Sequence, residues 1–231
     1  MEDKQFLRRS SYKVKRYAVL MKAAGLASIG LVTLISVVYF VSYMYGQYGS
    51  FTVSVNKYDM VKQGLTLSET GQFDTPQSRL NAQAVKEITN ISETSISADV
   101  DQINGSHNGS NYIAYSFYLK NVGEDTVAYR SQVSIDFVTN DIDAAIRLRI
   151  YRNGQSTTYA KTRSDGSGPE EGTTAFLSGD TIVSEVNKNF SSGSVDKYTV
   201  VIWLEGNDPD CVDAIIGGRI KMSMQFSIAE A

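Results

Sequence analysis

The chain has little of what small exported domains usually depend on. Its one cysteine, Cys211, permits no intramolecular disulfide, so stability must come from a hydrophobic core. Its one histidine, His107, sits in the polar run Asn104-Gly105-Ser106-His107-Asn108-Gly109-Ser110, which reads as a solvated loop. Two such residues cannot build a His/Cys metal centre. A Ser-His-Asp triad would have to use His107, and nothing near it in sequence suggests a buried orienting carboxylate. The H-E-x-x-H, G-x-S-x-G and phosphate-loop patterns are missing. Cys211 has no histidine nearby in sequence and reads as a small buried residue rather than a nucleophile. No catalytic residue or cofactor is therefore assigned, and neither an enzyme nor a small-molecule substrate is expected.

Charge is missing altogether from Ala23 to Tyr45, a run dominated by Leu, Ile, Val, Ala and Gly. Its length meets the roughly 20 residues needed to cross a bilayer core. Lys4, Arg8, Arg9, Lys13, Lys15 and Arg16 all precede it, and Lys22 lies at its border. Tyr12 and Tyr17 flank one end; Tyr39, Phe40, Tyr43, Tyr45 and Tyr48 crowd the other, as an interfacial aromatic belt would. The positive-inside rule places the amino terminus in the cytoplasm and the remainder outside. A cleaved signal peptide would have a shorter apolar core and an A-x-A-like site, and Ser42 to Ser50 offers none. The expected organisation is a basic cytoplasmic tail (1–22), a transmembrane helix (23–45) and an extracytoplasmic domain (46–231), tied closely to the membrane by a few residues. That last part carries 15 basic and 23 acidic side chains, which argues against nucleic acid as a partner.

Beyond the apolar run the periodicity changes to two, the signature of half-buried strands. Phe51, Val53 and Val55 alternate with polar residues, as do Ile113, Tyr115, Phe117 and Leu119. The same holds for Val133, Ile135 and Phe137, for Ala144, Ile146, Leu148 and Ile150, and for Ile220, Met222, Met224, Phe226 and Ile228. Tyr198 to Leu204 is apolar in both phases and predicts a central strand covered on both faces, with Trp203 as an anchor. Asn121-Val122-Gly123 and Arg152-Asn153-Gly154-Gln155 are turn signals. Pro76 to Thr94 could hold a short helix. The expected fold class is all-β: an antiparallel β-sandwich or jelly-roll-like domain after one transmembrane helix.

The densest polar cluster follows the most apolar strand: Glu205-Gly206-Asn207-Asp208-Pro209-Asp210-Cys211-Val212-Asp213. Oxygen ligands on a turn can hold calcium, so Glu205, Asp208, Asp210 and Asp213 are the candidate metal ligands. The spacing lacks the regularity of an EF-hand, and the plainer reading is a solvated turn.

The sequence also resembles the TasA/camelysin group of Gram-positive surface proteins. The likeness lies in a first strand close behind the apolar helix (Gly49-Ser50-Phe51-Thr52-Val53-Ser54-Val55), a strand ending in an Asn-x-Gly turn (Phe117 to Gly123), and a last alternating strand after a glycine (Gly218 to Ser227). It implies a jelly-roll domain that assembles into extracellular fibres. That group is normally released by signal peptidase, whereas this chain lacks a good site. Trp203 to Cys211 also looks like a motif of membrane-anchored Firmicute proteins. The expected function is a membrane-anchored bacterial cell-surface structural or interaction module, with a protein partner or self-assembly. The alternative is a calcium- or cell-wall-polymer-binding module built on the 205–213 turn or on aromatic residues such as Tyr151 and Tyr159. A hydrolase ranks last.

Overall fold

The computed structural model describes residues 2–47, 51–85 and 87–229. The chain divides into two compact units, 1–47 and 48–231. The first is one continuous helix, α1 (Glu2–Gln47). Within it Val19–Phe40 is long and apolar enough to cross a membrane, and none of these 22 residues is buried. This window begins and ends a few residues earlier than the uncharged run and takes in Lys22. Its serine and threonine hydroxyls are satisfied inside the helix: Ser28, Thr33 and Ser36 each donate to the carbonyl four residues back. The side chains of Tyr12, Tyr43, Tyr45 and Tyr48, and Gly49 and Ser50 of the first-strand motif, lie outside the described residues, as does the link at 48–50.

The second unit is mostly β-sheet. Its elements are β1 (Phe51–Val55), α2 (Lys57–Gln63), β2 (Leu65–Ser68), β3 (Arg79–Asn81), β4 (Gly105–Ser106), β5 (Tyr112–Asn121), β6 (Val127–Val138), β7 (Ile146–Arg152), β8 (Gln155–Ala160), β9 (Thr174–Ala175), β10 (Thr181–Phe190), β11 (Val195–Leu204) and β12 (Ile220–Ile228). One sheet runs β10-β6-β12-β1-β3; the other runs β2-β5-β11-β7-β8-β9, with β4 added on β5. Both sheets feed one core. Phe51, Val53, Met222, Met224 and Phe226 of the first meet Tyr115, Phe117, Leu148, Val200 and Ile202 of the second. Rings bridge the layers: Phe226 lies 6.0 Å from Phe117 and 5.2 Å from Tyr198, both edge-on. Each such side chain contributes about 1.5–3 kcal/mol on full burial.

The doubly apolar segment is the central strand its pattern predicts. β11 lies between β5 and β7. Val200 and Ile202 enter the main core, while Val201 and Trp203 face a second cluster with Val100 and Ala114, packed by Ile91, Ile96, Tyr112 and Tyr151. The cover comes from the stretch between β3 and β5.

Four expectations change. The sheets are mixed: β1 pairs with β12 in parallel, and so does β8 with β9. A parallel pair needs a long connection, and nearly the whole unit lies between β1 and β12. The described residues of 76–94 form β3 and lead into a single turn at Glu93–Ser95 rather than an α-helix. Their amides and carbonyls bond to neighbouring strands instead, as in Ala82 N–H to Phe51 O and Ile91 N–H to Leu204 O. Ala144 falls in a turn (Ile142–Ala144) ahead of β7 rather than in the strand. Finally, Phe137 leaves the core phase. β6 carries one extra residue, Asp136, between the partners of Lys221 and Met222. That bulge turns Phe137 to the phase of Lys221, and it is exposed.

Candidate functional site

The acidic turn after β11 is built into the fold. Glu205 is buried and accepts three N–H groups: Trp203 Nε1–H at 2.9 Å, the Glu93 amide at 3.2 Å and the Asn207 amide at 3.1 Å. Asp208 is buried against Arg147 and also accepts the Asp210 amide at 2.7 Å. Asp210 holds the Ser164 amide at 2.9 Å and its hydroxyl, and these bonds keep its carboxyl below the usual carboxylate range. Asp213 is exposed and starts a turn at Asp213–Ile215 that buries Ile215. Glu205, Asp208 and Asp210 are thus each engaged by different partners, and the four carboxylates do not converge. Among the described residues no group of three or more His, Cys, Asp or Glu is placed to hold a metal ion. Cys211 is half-buried, with the Asn90 side-chain amide at 3.5 Å from its sulfur. His107 is not simply solvated: its two ring nitrogens lie 2.8 Å from the carbonyl oxygens of Gly105 and Val100, clipping the loop to the second cluster.

Arg147 organises this end. It projects from β7 in the outward phase, yet only 1 % of its side chain is exposed. Glu170 takes its Nε–H at 3.0 Å and lies 2.9 Å from Nη2 as an ion pair, while Asp208 takes Nη2–H. Nη1–H reaches the Ile146 carbonyl at 3.1 Å. Beside it Arg149 lies over the Trp203 ring at 5.3 Å and pairs with Glu93. A hollow of about 340 Å³ borders Arg149, Tyr151, Glu170 and Glu205, but its principal charges are already paired.

A second polar centre lies between the sheets. A cleft of about 490 Å³ opens there, lined by β6, β7, β8, β10, β11 and β12. Its buried wall is one hydrogen-bonded network centred on Asp196. The Asp196 carboxylate accepts the Tyr129 hydroxyl, Arg152 Nε–H at 3.2 Å, Arg152 Nη2–H at 2.9 Å and the Asn153 side-chain Nδ2–H at 2.7 Å. Because Tyr129 donates to Asp196, the Tyr198 hydroxyl 2.8 Å away donates to Tyr129. Arg152 Nη1–H reaches Asn187. Burial, then the neighbouring Tyr198 and Asp196, push Tyr129 well above the ordinary tyrosine range; burial pushes Tyr198 up to about 12. On the opposite wall the Tyr159 hydroxyl donates to Glu185 at 3.0 Å and joins β8 to β10 across the sheets. Burial, then Glu185, raise Tyr159 too. Tyr159 is thus a buried residue of the cleft rather than a surface aromatic, and Tyr151 packs on the second cluster.

Sequence reasoning passed over this network, although a signal was present. Arg152 falls in the inward phase of Ile146, Leu148 and Ile150; Tyr129 in that of Val133; Asp196 in that of Tyr198, Val200 and Ile202. A charged residue in a core phase marks either a strand end or a buried partner, and here it marks both.

No family model matches the chain, and no curated protein matches it. Among solved structures, it is similar to a crystal structure of beta-glucosidase from Kluyveromyces marxianus in complex with glucose. The identity is 10%, the match covers 72% of this chain and 16% of that one, and the TM-score is 0.28. The chain thus spans a small part of that enzyme's length, and a likeness of this size carries no functional argument.

Proposed function

We propose that this chain is a single-pass membrane protein of a bacterial cell surface, whose amino-terminal helix anchors an extracytoplasmic β-sandwich acting as a structural or interaction module. The observation that carries this reading is the wholly unburied apolar stretch Val19–Phe40. At 1.5 Å per residue it is about 33 Å long, against a hydrocarbon core of about 30 Å. Lipid cannot hydrogen-bond polar groups, and the in-helix bonds of Ser28, Thr33 and Ser36 meet that demand. The basic residues ahead of the stretch support a cytoplasmic amino terminus. The sandwich reading is supported by two sheets sharing one core without a disulfide. An assembling role, which the likeness to the TasA/camelysin group implies, is supported by β10, ten residues long at an edge of its sheet.

Protease applied to intact cells tests the topology. The β-domain should be shaved from outside while a tag on the amino terminus survives; loss of the tag before the domain would reverse the orientation. Cross-linking of the same cells should yield adducts of the domain, and a strictly monomeric protein would remove the interaction reading.

A further inference from the structure

The inter-sheet cleft has the composition of a ligand site. Gln155, Thr157 and Tyr159 project into it from β8, in register with Arg152, Ile150 and Leu148 of β7. A guanidinium carries five N–H groups. Three of Arg152's are used by Asp196 and Asn187, which leaves two on a side chain that is 38 % exposed at the mouth. Glu185 uses Oε1 for Tyr159; Oε2 has no hydrogen-bond partner among the described residues. Gln155 and Thr157 are exposed and add an amide and a hydroxyl. Between these polar groups the half-buried Ile150 provides apolar surface, backed by the buried Val183 and Met224.

We propose that this cleft binds a short neutral saccharide. A sugar hydroxyl both donates and accepts, and the cleft offers spare donors from Arg152 facing a spare acceptor on Glu185. The C–H face of a sugar ring can rest on the half-buried Ile150 at the cleft floor. The volume of about 490 Å³ falls within the range of about 300–1,000 Å³ typical of small-molecule sites. Charge separates this class from its rivals. Arg152 is neutralised by Asp196, so Glu185 leaves the cleft slightly negative, which disfavours carboxylates and phosphates. The Arg152 side chain is already fixed by its three bonds, so little ordering is needed when a ligand arrives. The inference does not depend on the membrane anchor.

Calorimetric titration of the full chain in lipid nanodiscs tests it, with cellobiose, maltose and N,N′-diacetylchitobiose as probes and glucuronate and inorganic phosphate as counter-probes. At least one disaccharide should bind with a Kd of about 1 mM or tighter. Thr157→Trp, which fills the cleft from an exposed position, should abolish binding without moving the thermal midpoint. Gln155→Ala should weaken binding by roughly three- to tenfold, the loss expected for one hydrogen bond. Failure of all three disaccharides at about 10 mM, tighter binding of either anion, or unchanged binding by folded Thr157→Trp would each overturn the proposal.

Discussion

Arg147 and Asp208 each have 1 % of their side chains exposed, and neither is tolerable there alone. Removing Asp208 leaves the buried Arg147 with only Glu170, whose side chain is 33 % exposed, whereas replacing both members of a buried pair can be neutral. Asp208→Asn should therefore destabilise the β-domain by about 3 kcal/mol in urea unfolding. The exposed Asp213→Asn should stay within about 0.5 kcal/mol, and Arg147→Met with Asp208→Leu should recover most of the loss. Equal effects at 208 and 213 would mean the buried pair has no structural role. The buried tyrosines make a second prediction. Burial leads the upward shift of Tyr115, Tyr129, Tyr159 and Tyr198, with Tyr198 reaching about 12 from 10.0. The unfolded chain releases these protons near pH 10 while the folded one keeps them, so stability is full below that pH and falls as pH rises toward 12 and beyond. Urea midpoints should drop steadily over that window, with tyrosinate absorbance of the more strongly shifted Tyr115 and Tyr129 appearing only on unfolding. The acidic turn was legible as a cluster, because its carboxylates are neighbours in sequence. Their partners were not: Arg147 and Ser164 are brought to the turn only by strand pairing and loop docking.

At the scale of elements, the turn after β5 shows how local signals and long-range contact combine. Asn121 Oδ1 accepts the Gly123 amide at 2.9 Å, and its side-chain amide donates to the carbonyls of Asp125 and Phe190. Gly64, which ends α2 in a left-handed conformation (φ 72°), lies directly against Gly123. A Cβ on Gly64 would stand 2.3 Å from the Gly123 nitrogen. Gly64→Ala should thus cost about 3 kcal/mol or more, combining left-handed strain with a backbone clash. Gly154→Ala makes the control. Its φ is 84° but nothing lies within 4 Å, so strain alone should cost about 1 kcal/mol. Chemical denaturation of the two variants separates the terms; equal losses would show that the Gly64–Gly123 approach does not matter. Strands with clean alternation, such as β5 and β12, could be read from sequence because one face is buried along their length. The outward turn of Phe137 could not, since the Asp136 bulge exists only relative to β12. Helix α2 was also missed: seven residues with a single cap from Asn56 carry too little periodicity.

At the scale of the whole molecule, two properties dominate, and they were unequally legible. The apolar helix shows in the sequence because hydropathy and flanking charge are properties of a continuous segment. The sheet order does not, because pairing Phe51 with Met222 joins the two ends of the unit. The polar cleft belongs with the hidden class: its walls come from six strands, and only the odd inward-facing Arg152, Tyr129 and Asp196 hint at it. The central claim is that Val19–Phe40 is a retained anchor. Alkaline carbonate washing of membranes, followed by intact mass measurement of the chain that stays in the pellet, tests this most directly. The account predicts a carbonate-resistant protein that keeps its basic amino-terminal tail. A carbonate-soluble product beginning near Gly46 would contradict it.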